Sequence, residues 1–241
     1  MVRRGGNSAT RQRSLQSGRQ RWLAGAGLLV LLIGGAAWWE ARTWMPSRDD
    51  YPVQGAWLDA GDLPVNFHML KQAGADFVYL TDGSGGSQRD PGFAESLAAA
   101  REQKLQVGAV HVYDPCSPAD AQAANFVTTV PRDGKLLPPA IALDIDDKAC
   151  RAPPDAAALD SELTTFLNQI ERHTGKPAML LLSRAFENRY HLAVRIDRNL
   201  WLEGAFLSPY YAGRPWVMWT ASDRLRTAAA SHALRWVVVR P

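Results

Sequence analysis

Apolar runs of strand length alternate with amphipathic helical patterns through the middle of this chain of 241 residues. The strands are predicted at residues 77–80, 107–112, 140–145 and 179–182, and the helices at 91–103, 119–130 and 155–174. Strands that are apolar on both faces belong in a parallel sheet that is covered by helices. This alternation constrains the fold more than any other feature of the sequence.

The helical patterns become sparse in the last part of the chain. Short strands are predicted there at residues 200–202, 216–219 and 236–239. We therefore predict an irregular α/β barrel that ends in mostly β structure. In such barrels the functional residues lie at the C-terminal ends of the strands.

The first 39 residues differ from the rest of the chain. Residues 1–21 contain six arginines and no acidic residue, and residues 22–39 contain no charged residue. A helix over residues 22–39 would be roughly 27 Å long, close to the ~30 Å hydrocarbon core of a bilayer. We predict a basic cytoplasmic tail, a transmembrane helix over 22–39, a linker over 40–50 and a body over 51–241 in the periplasm or outside the cell. A signal peptide cleaved near residues 35–37 is the alternative.

The charge of the body argues against nucleic-acid binding. The whole chain carries a formal charge of +3, but six arginines lie in residues 1–21, which leaves −3 for the remainder. Duplex binding depends on Lys and Arg side chains that neutralise phosphates, and no basic stripe follows the leader. We therefore expect no nucleic-acid partner.

The two cysteines, Cys116 and Cys150, lie in proline-rich segments. In an oxidising compartment such a pair is expected to form one disulfide. Two unrelated buried thiols are the alternative, because the sequence does not show whether the two segments meet. The cysteines lack CxxC spacing and the histidines are scattered, so we expect no metal site.

An apolar strand that ends in three carboxylates is the main chemical signal, since residues 138–147 read PPAIALDIDD. Side chains two residues apart share one face of a strand, so Asp144 and Asp146 should project together. Neighbouring carboxylates raise one pKa, which makes that group a candidate general acid for glycoside hydrolysis. The alternative is that these acidic residues only end the strand and solvate a loop.

Several segments, in order along residues 51–241, resemble glycoside hydrolase family 25, the lysozyme family. They are YPVQG (51–55), LKQAGADFVYL (70–80), TDG (81–83), DPGF (90–93), VGAVHV (107–112), QAANF (122–126), LDID (143–146) and WVMWT (216–220). The order and spacing of these segments together are more specific than any one of them.

The resemblance implies a family 25 barrel with N-acetylmuramidase activity, which cleaves the sugar backbone of peptidoglycan without a metal or organic cofactor. It places the acidic site at Asp144 and Asp146. Asp146 stands where the family carries its acid Glu. The Asp side chain is one methylene shorter, which moves the carboxyl group away from the substrate. A displacement of a catalytic group on the order of 1 Å can cost ~100-fold in rate. Trp57 stands where the family carries an Asp, and the late Asp of the family has no counterpart in residues 234–239.

Further residues are candidates for the site. Asp59 lies two residues after Trp57 and could replace the missing carboxylate, although it also fits a plain turn. His111 fits a hydrogen-bonded core residue better than a catalytic group. The candidates for substrate binding, by sugar stacking or hydrogen bonding, are Trp57, Asp82, Tyr113, Tyr210 and Trp219.

Two functional hypotheses follow from these observations. The first is a membrane-anchored, lysozyme-like hydrolase of reduced activity that acts on peptidoglycan glycan strands. The second is a catalytically inactive domain of the same fold that binds glycan or an envelope protein. A tethered structural domain without a ligand is a third possibility.

Overall fold

The computed structural model describes residues 27–145, 150 and 152–241. The chain divides into two compact units, Met1–Thr43 and Trp44–Pro241. In the first unit, residues 27–43 form helix α1. The predicted tail and the first part of the predicted span over 22–39 lie outside the described residues. No helix within the described part of the chain combines the length and the hydropathy that a membrane span requires.

The second unit is built on a closed eight-stranded barrel, which confirms the predicted α/β barrel. The order around the barrel is β1, β2, β4, β5, β6, β7, β8 and β9, and β9 pairs back to β1. The strands are β1 Gln54–Leu58, β2 Phe77–Ser84, β3 Gln88–Arg89, β4 Gln106–Val112, β5 Ala140–Leu143, β6 Met179–Leu182, β7 Asn199–Glu203, β8 Met218–Leu225 and β9 Leu234–Val239. Only β9 is antiparallel to its barrel neighbours, and β3 extends the sheet beside β2.

Helices cover the outside of the barrel. They are α2 Phe67–Gln72, α3 Phe93–Glu102, α4 Ala119–Thr129, α5 Ala156–Thr174 and α6 Arg184–Tyr190. The longest helix, α5, begins after Asp155, whose side chain accepts a hydrogen bond from the Ala158 amide. It ends at Gly175, whose φ of 72° is the left-handed conformation that favours glycine. The apolar face of α5 packs against the barrel.

The alternation of side chains along each strand produces two separate apolar layers. One layer lies between the strands and the helices, and the other fills the inside of the barrel. The inner layer includes three large aromatic rings, with Trp201 5.8 Å from Trp57 and 5.0 Å from Tyr79 between ring centroids. The middle of the barrel is therefore a packed core, and a ligand has access only at its ends.

Several strands differ in their bounds from the sequence prediction, and two of these differences concern the site. β2 continues to Ser84 because it pairs with β4 on one side and with β3 at its end. The register of β2 against β4 shifts between Thr81 and Gly83. β5 ends at Leu143, two residues earlier than predicted. Asp144 consequently follows the strand directly.

Candidate active site

The C-terminal ends of the parallel strands form one end of the barrel, which we call the mouth. Above the inner aromatic layer, the next inward-facing position is polar on several of the strands. By the alternation of each strand these polar positions include Thr81, Asp144, Glu203, Thr220 and Arg235. Two of their hydroxyls accept hydrogen bonds from indole N–H groups of the layer below, at 3.0 Å from Trp57 and 2.8 Å from Trp201. The floor of the mouth is thus held in place by hydrogen bonds as well as by packing.

Asp144 lies exposed at the end of β5, and its Oδ1 accepts a hydrogen bond from the Ile145 amide at 2.8 Å. It borders a cleft of about 210 Å³. Residues after β4 and in α6 form the other sides of this cleft, including Tyr113, Asp114 and Arg189. Asp146 lies outside the described residues, so its predicted projection beside Asp144 stays a prediction.

Glu203 is a second carboxylate at the mouth, and the sequence analysis did not select it. Leu143, Leu182 and Leu202 are register partners and form one row across β5, β6 and β7. Asp144 follows Leu143 and Glu203 follows Leu202, so the two carboxylates lie at the same level of the barrel. The Glu203 side chain is partly exposed. The pKa of Glu203 is raised from 4.5 to about 7, mainly by burial and also by the negative charge of Asp144, while the Arg235 guanidinium acts in the opposite direction. We call Asp144 and Glu203 the β5–β7 wall of the mouth.

The opposite side of the mouth carries Trp57 and Arg235, which are direct register partners on β1 and β9. The Arg235 guanidinium lies over the Trp57 ring, 3.8 Å from the ring centroid. The same guanidinium contacts Asp59 at 2.6 Å and Asp62 at 2.8 Å. We call these four residues the β1–β9 wall. It includes Trp57, which by the family resemblance stands at the position of an Asp.

Asp59 has a structural environment at this wall. Its side chain accepts a hydrogen bond from the Gly61 amide at 2.8 Å and so caps the short 3-10 turn Ala60–Asp62. Its other oxygen contacts Arg235. The residue therefore lies at the mouth, and both of its carboxylate oxygens already have partners. It also borders a second opening of about 220 Å³ beside the ends of β1 and β2.

Cys116 and Cys150 are joined by a disulfide with a Cα–Cα distance of 5.4 Å. The bond links the segment after β4 to the segment after β5. Cys150 lines the same cleft as Asp144. Asp114 lies near both sulfur atoms, but sulfurs that form a disulfide are not available as thiolate ligands.

Asp82 does not reach the mouth. It is fully buried, and its side chain points into the layer between barrel and helices, where Oδ2 lies 3.2 Å from His111 Nδ1. The register shift in β2 accompanies this outward direction. Burial raises the pKa of Asp82, and the contact with His111 opposes this rise. His111 is also fully buried against Phe126 and Phe166, which agrees with its prediction as a core residue.

The predicted aromatic residues fall into different environments. Tyr113 lines the cleft beside Asp144 and is 3% exposed. Tyr210 is 84% exposed, with its ring 5.9 Å from the Arg184 guanidinium. Trp219 instead packs in the outer layer, where its indole N–H donates to the Gly204 carbonyl. Trp219 faces away from the lumen because it alternates with the inward Met218 and Thr220, so the structure removes it from the substrate surface predicted for it.

A closed α/β barrel with carboxylates at the C-terminal ends of its strands is typical of a glycoside hydrolase. The family model for glycosyl hydrolases family 25 matches residues 60–228, most of the folded body. The chain belongs to this family. The match confirms the resemblance that the sequence segments indicated.

Solved structures agree with this assignment at the level of the fold. The chain is similar to a family 25 glycosyl hydrolase from Bacillus anthracis, with a TM-score of 0.73, 20% identity, and coverage of 82% of this chain and 92% of that one. It is also similar to the bacterial lysozyme from Streptomyces coelicolor, with a TM-score of 0.70, 20% identity, and coverage of 78% and 91%.

Among curated proteins, the chain is similar to the uncharacterized protein YegX of Escherichia coli K12. The two are 28% identical over 156 residues, which is 61% of this chain and 53% of the relative. The chain thus spans about half the length of the curated relatives it matches.

Proposed function

We propose that this protein is a muramidase-type hydrolase that cleaves the sugar backbone of peptidoglycan. Membership of glycosyl hydrolases family 25 supports the reaction class. The names of the similar structures, which include a bacterial lysozyme, support a glycan substrate. The observation that carries the proposal is the exposed carboxylate of Asp144 at the mouth of the barrel, beside an open cleft.

In this reaction Asp144 stabilises the positive charge that develops on the sugar ring. Glycoside hydrolysis passes through an oxocarbenium-like transition state, and a carboxylate close to the reacting carbon lowers its energy. By family resemblance, Asp146 contributes a further carboxylate.

The test is muropeptide release from purified sacculi by the full-length chain in detergent. We expect Asp144→Asn to lower the rate about 100-fold or more, because such groups contribute 10²- to 10⁴-fold. Asp160→Asn is the matched control, since Asp160 lies on α5 and pairs with Arg195, and it should leave the rate unchanged. Wild-type protein that sediments with sacculi but releases no muropeptides would contradict the hydrolase and indicate a glycan-binding domain.

We also propose that residues 22–39 anchor the chain in a membrane, with the N-terminus in the cytoplasm and the body in the periplasm or outside the cell. Support comes from the arginine-rich, acid-free leader and from the side chains of α1 from Leu28 to Ile33, each of which is more than half exposed. Exposed apolar side chains are stabilised when lipid replaces the water around them.

Membrane fractionation tests the anchor. The full-length chain should sediment with membranes and resist extraction at alkaline pH. Leu29→Arg combined with Leu31→Arg should release it, because charges at the centre of a span are costly, whereas the matched pair Leu29→Ile and Leu31→Ile should not. A mature N-terminus near residue 37 would contradict the anchor and establish a cleaved signal peptide.

A further inference from the structure

We infer that Glu203 is the proton donor of this site, and that its carboxyl group protonates the glycosidic oxygen of the departing sugar. This inference rests on the proposed hydrolase function and assigns the acid to a residue outside the acidic strand. The acid therefore comes from β7, not from the segment that follows β5.

The barrel places Glu203 and Asp144 on the same wall of the mouth, with β6 between their strands. The side chain of Glu203 lies on the same face of β7 as that of Trp201, which is part of the inner aromatic layer. It is also the last residue of its strand, so it lies above that layer and at the level of Asp144. Both carboxylates consequently project into the mouth, one from each side of β6.

The separation of the two strands suits a pair of hydrolytic carboxylates. Neighbouring strands lie about 4.8 Å apart, so β5 and β7 are separated by roughly 10 Å across β6. Side chains that point into a closed barrel converge, which brings the carboxyl groups closer together than their backbones. Glycosidases use carboxyl separations from about 5 Å to about 9.5 Å. The geometry of the row is compatible with this interval.

The end of β7 is held firmly. The Tyr211 hydroxyl accepts a hydrogen bond from the Glu203 amide at 2.9 Å and donates one to the Leu182 carbonyl at 2.5 Å. These bonds tie the ends of β6 and β7 together through one side chain. A carboxyl group on a fixed backbone loses little entropy when it approaches a substrate oxygen, which favours proton transfer.

The charges around Glu203 favour its protonated form near neutral pH. Burial and the carboxylates of Asp144 and Asp223 raise its pKa, which reaches about 7, while Arg235 acts against them. Tyr211 contacts its backbone from the loop that follows β7. An acid with a pKa near the working pH combines a large protonated fraction with a strong drive to donate. The family acid position, Asp146, is not needed for this role.

The proton balance of the step is simple. The O–H bond of the Glu203 carboxyl breaks and an O–H bond forms on the leaving sugar oxygen, while the electron pair of the C–O glycosidic bond stays with that oxygen. Water adds its oxygen to the sugar carbon and gives one proton to a carboxylate of the site. Glu203 is then reprotonated, so the net reaction consumes one water molecule per bond.

Leaving-group dependence tests the inference with the full-length chain in detergent. Glu203→Gln should lower cleavage of sacculi about 100-fold or more. The same variant should retain most of its rate on a dinitrophenyl glycoside whose leaving group is attached to N-acetylmuramic acid, because that leaving group departs without a proton. Glutamine matches the neutral carboxyl in shape, so the variant should fold, which thermal unfolding checks. Asp146→Asn is the matched comparison and should not show this selective loss.

The pH profile is the second measurement. Wild-type activity on sacculi should fall as the pH rises through about 7, because Glu203 then loses the proton that it donates. The activity that remains in Glu203→Gln should not show this decrease. The inference would be overturned if Glu203→Gln lost the same fraction of its rate on sacculi and on the dinitrophenyl glycoside and still lost activity above about pH 7. That result would indicate a structural role for Glu203. Wild-type cleavage that Glu203→Gln leaves intact would overturn it while the proposed function stands. Failure of the wild type to cleave sacculi would overturn both.

Discussion

The two walls of the mouth differ in how their charged side chains are paired. On the β1–β9 wall, Arg235 contacts two carboxylates and an indole face, so each charge has an opposite partner. On the β5–β7 wall, the negative charge of Asp144 raises the pKa of Glu203 and so favours its protonated form. Paired charges contribute to folding, whereas facing like charges keep a proton available for chemistry. The comparison predicts that substitutions on the first wall affect mainly stability and those on the second mainly activity.

The largest effect on stability is expected from Trp57→Ala. The indole is 6% exposed, contacts Trp201 and Arg235, and donates to Thr81. Its removal should lower the free energy of unfolding by about 3–5 kcal/mol, as for other buried aromatic residues. Urea denaturation measures the change, and Trp57→Phe should lose less. A loss below about 1 kcal/mol would contradict the assignment of the β1–β9 wall to stability, because Trp57 would then contribute little to the packed core.

A pH-dependent stability difference should follow from Glu203. The native protein binds this proton more tightly than the unfolded chain, since the pKa rises from 4.5 to about 7. The contribution to stability is therefore complete below about pH 4.5 and is lost as the pH rises through about 7, by roughly 3 kcal/mol in total. Glu203→Gln should equal the wild type at low pH and exceed it by about this amount at pH 8. Chemical denaturation measures the free energy of unfolding of both proteins at each pH. A difference between them that does not change with pH would contradict the raised pKa of Glu203.

Arg235→Gln should lower the free energy of unfolding by about 2 kcal/mol. Charge-assisted hydrogen bonds of this kind contribute about 1.5–3 kcal/mol, and the substitution leaves Asp62 without its guanidinium. Arg224→Gln is the matched control, because Arg224 and Asp223 are both at least half exposed and such pairs contribute little. If both variants lose the same amount, the β1–β9 wall has no special role in stability.

The smallest effect is expected from Asp59→Asn. Asp59 is 44% exposed in its pair with Arg235, and asparagine also caps a helical turn well. We expect a stability loss below about 1 kcal/mol and an unchanged rate of muropeptide release. A rate loss of tenfold or more would assign Asp59 to catalysis and remove the distinction between the two walls.

Much of the barrel could be predicted from the sequence because its signals are local. The periodicity of α5 and the apolar run of β6 each depend on a short segment, and the structure places both elements within a residue or two of the prediction. Strand ends were less predictable. β2 extends to Ser84 only because β3 and β4 offer partners, and those partners are distant in sequence.

Glu203 shows why part of the candidate site was missed. In the sequence it is one acidic residue after a short apolar run. Its position two residues after Trp201 indicated which face it shares, but not which other strands meet there. Barrel closure brings the ends of β5, β7, β8 and β9 into one mouth, and this depends on pairings across the whole body. Asp82 was misplaced for a related reason, since β2 extends past the predicted strand end, and Asp82 then continues the outward-facing set of Val78 and Leu80.

The pairing of β1 with β9 has a consequence for biogenesis. Gln54 lies opposite Val238, so the sheet closes on itself only through a contact between residues more than 180 positions apart. Until β9 has been synthesised, both β1 and β8 keep an unpaired edge that can recruit other chains. Such long-range closure is slow. We therefore expect this protein to depend on chaperones that shield the open sheet until β9 has paired.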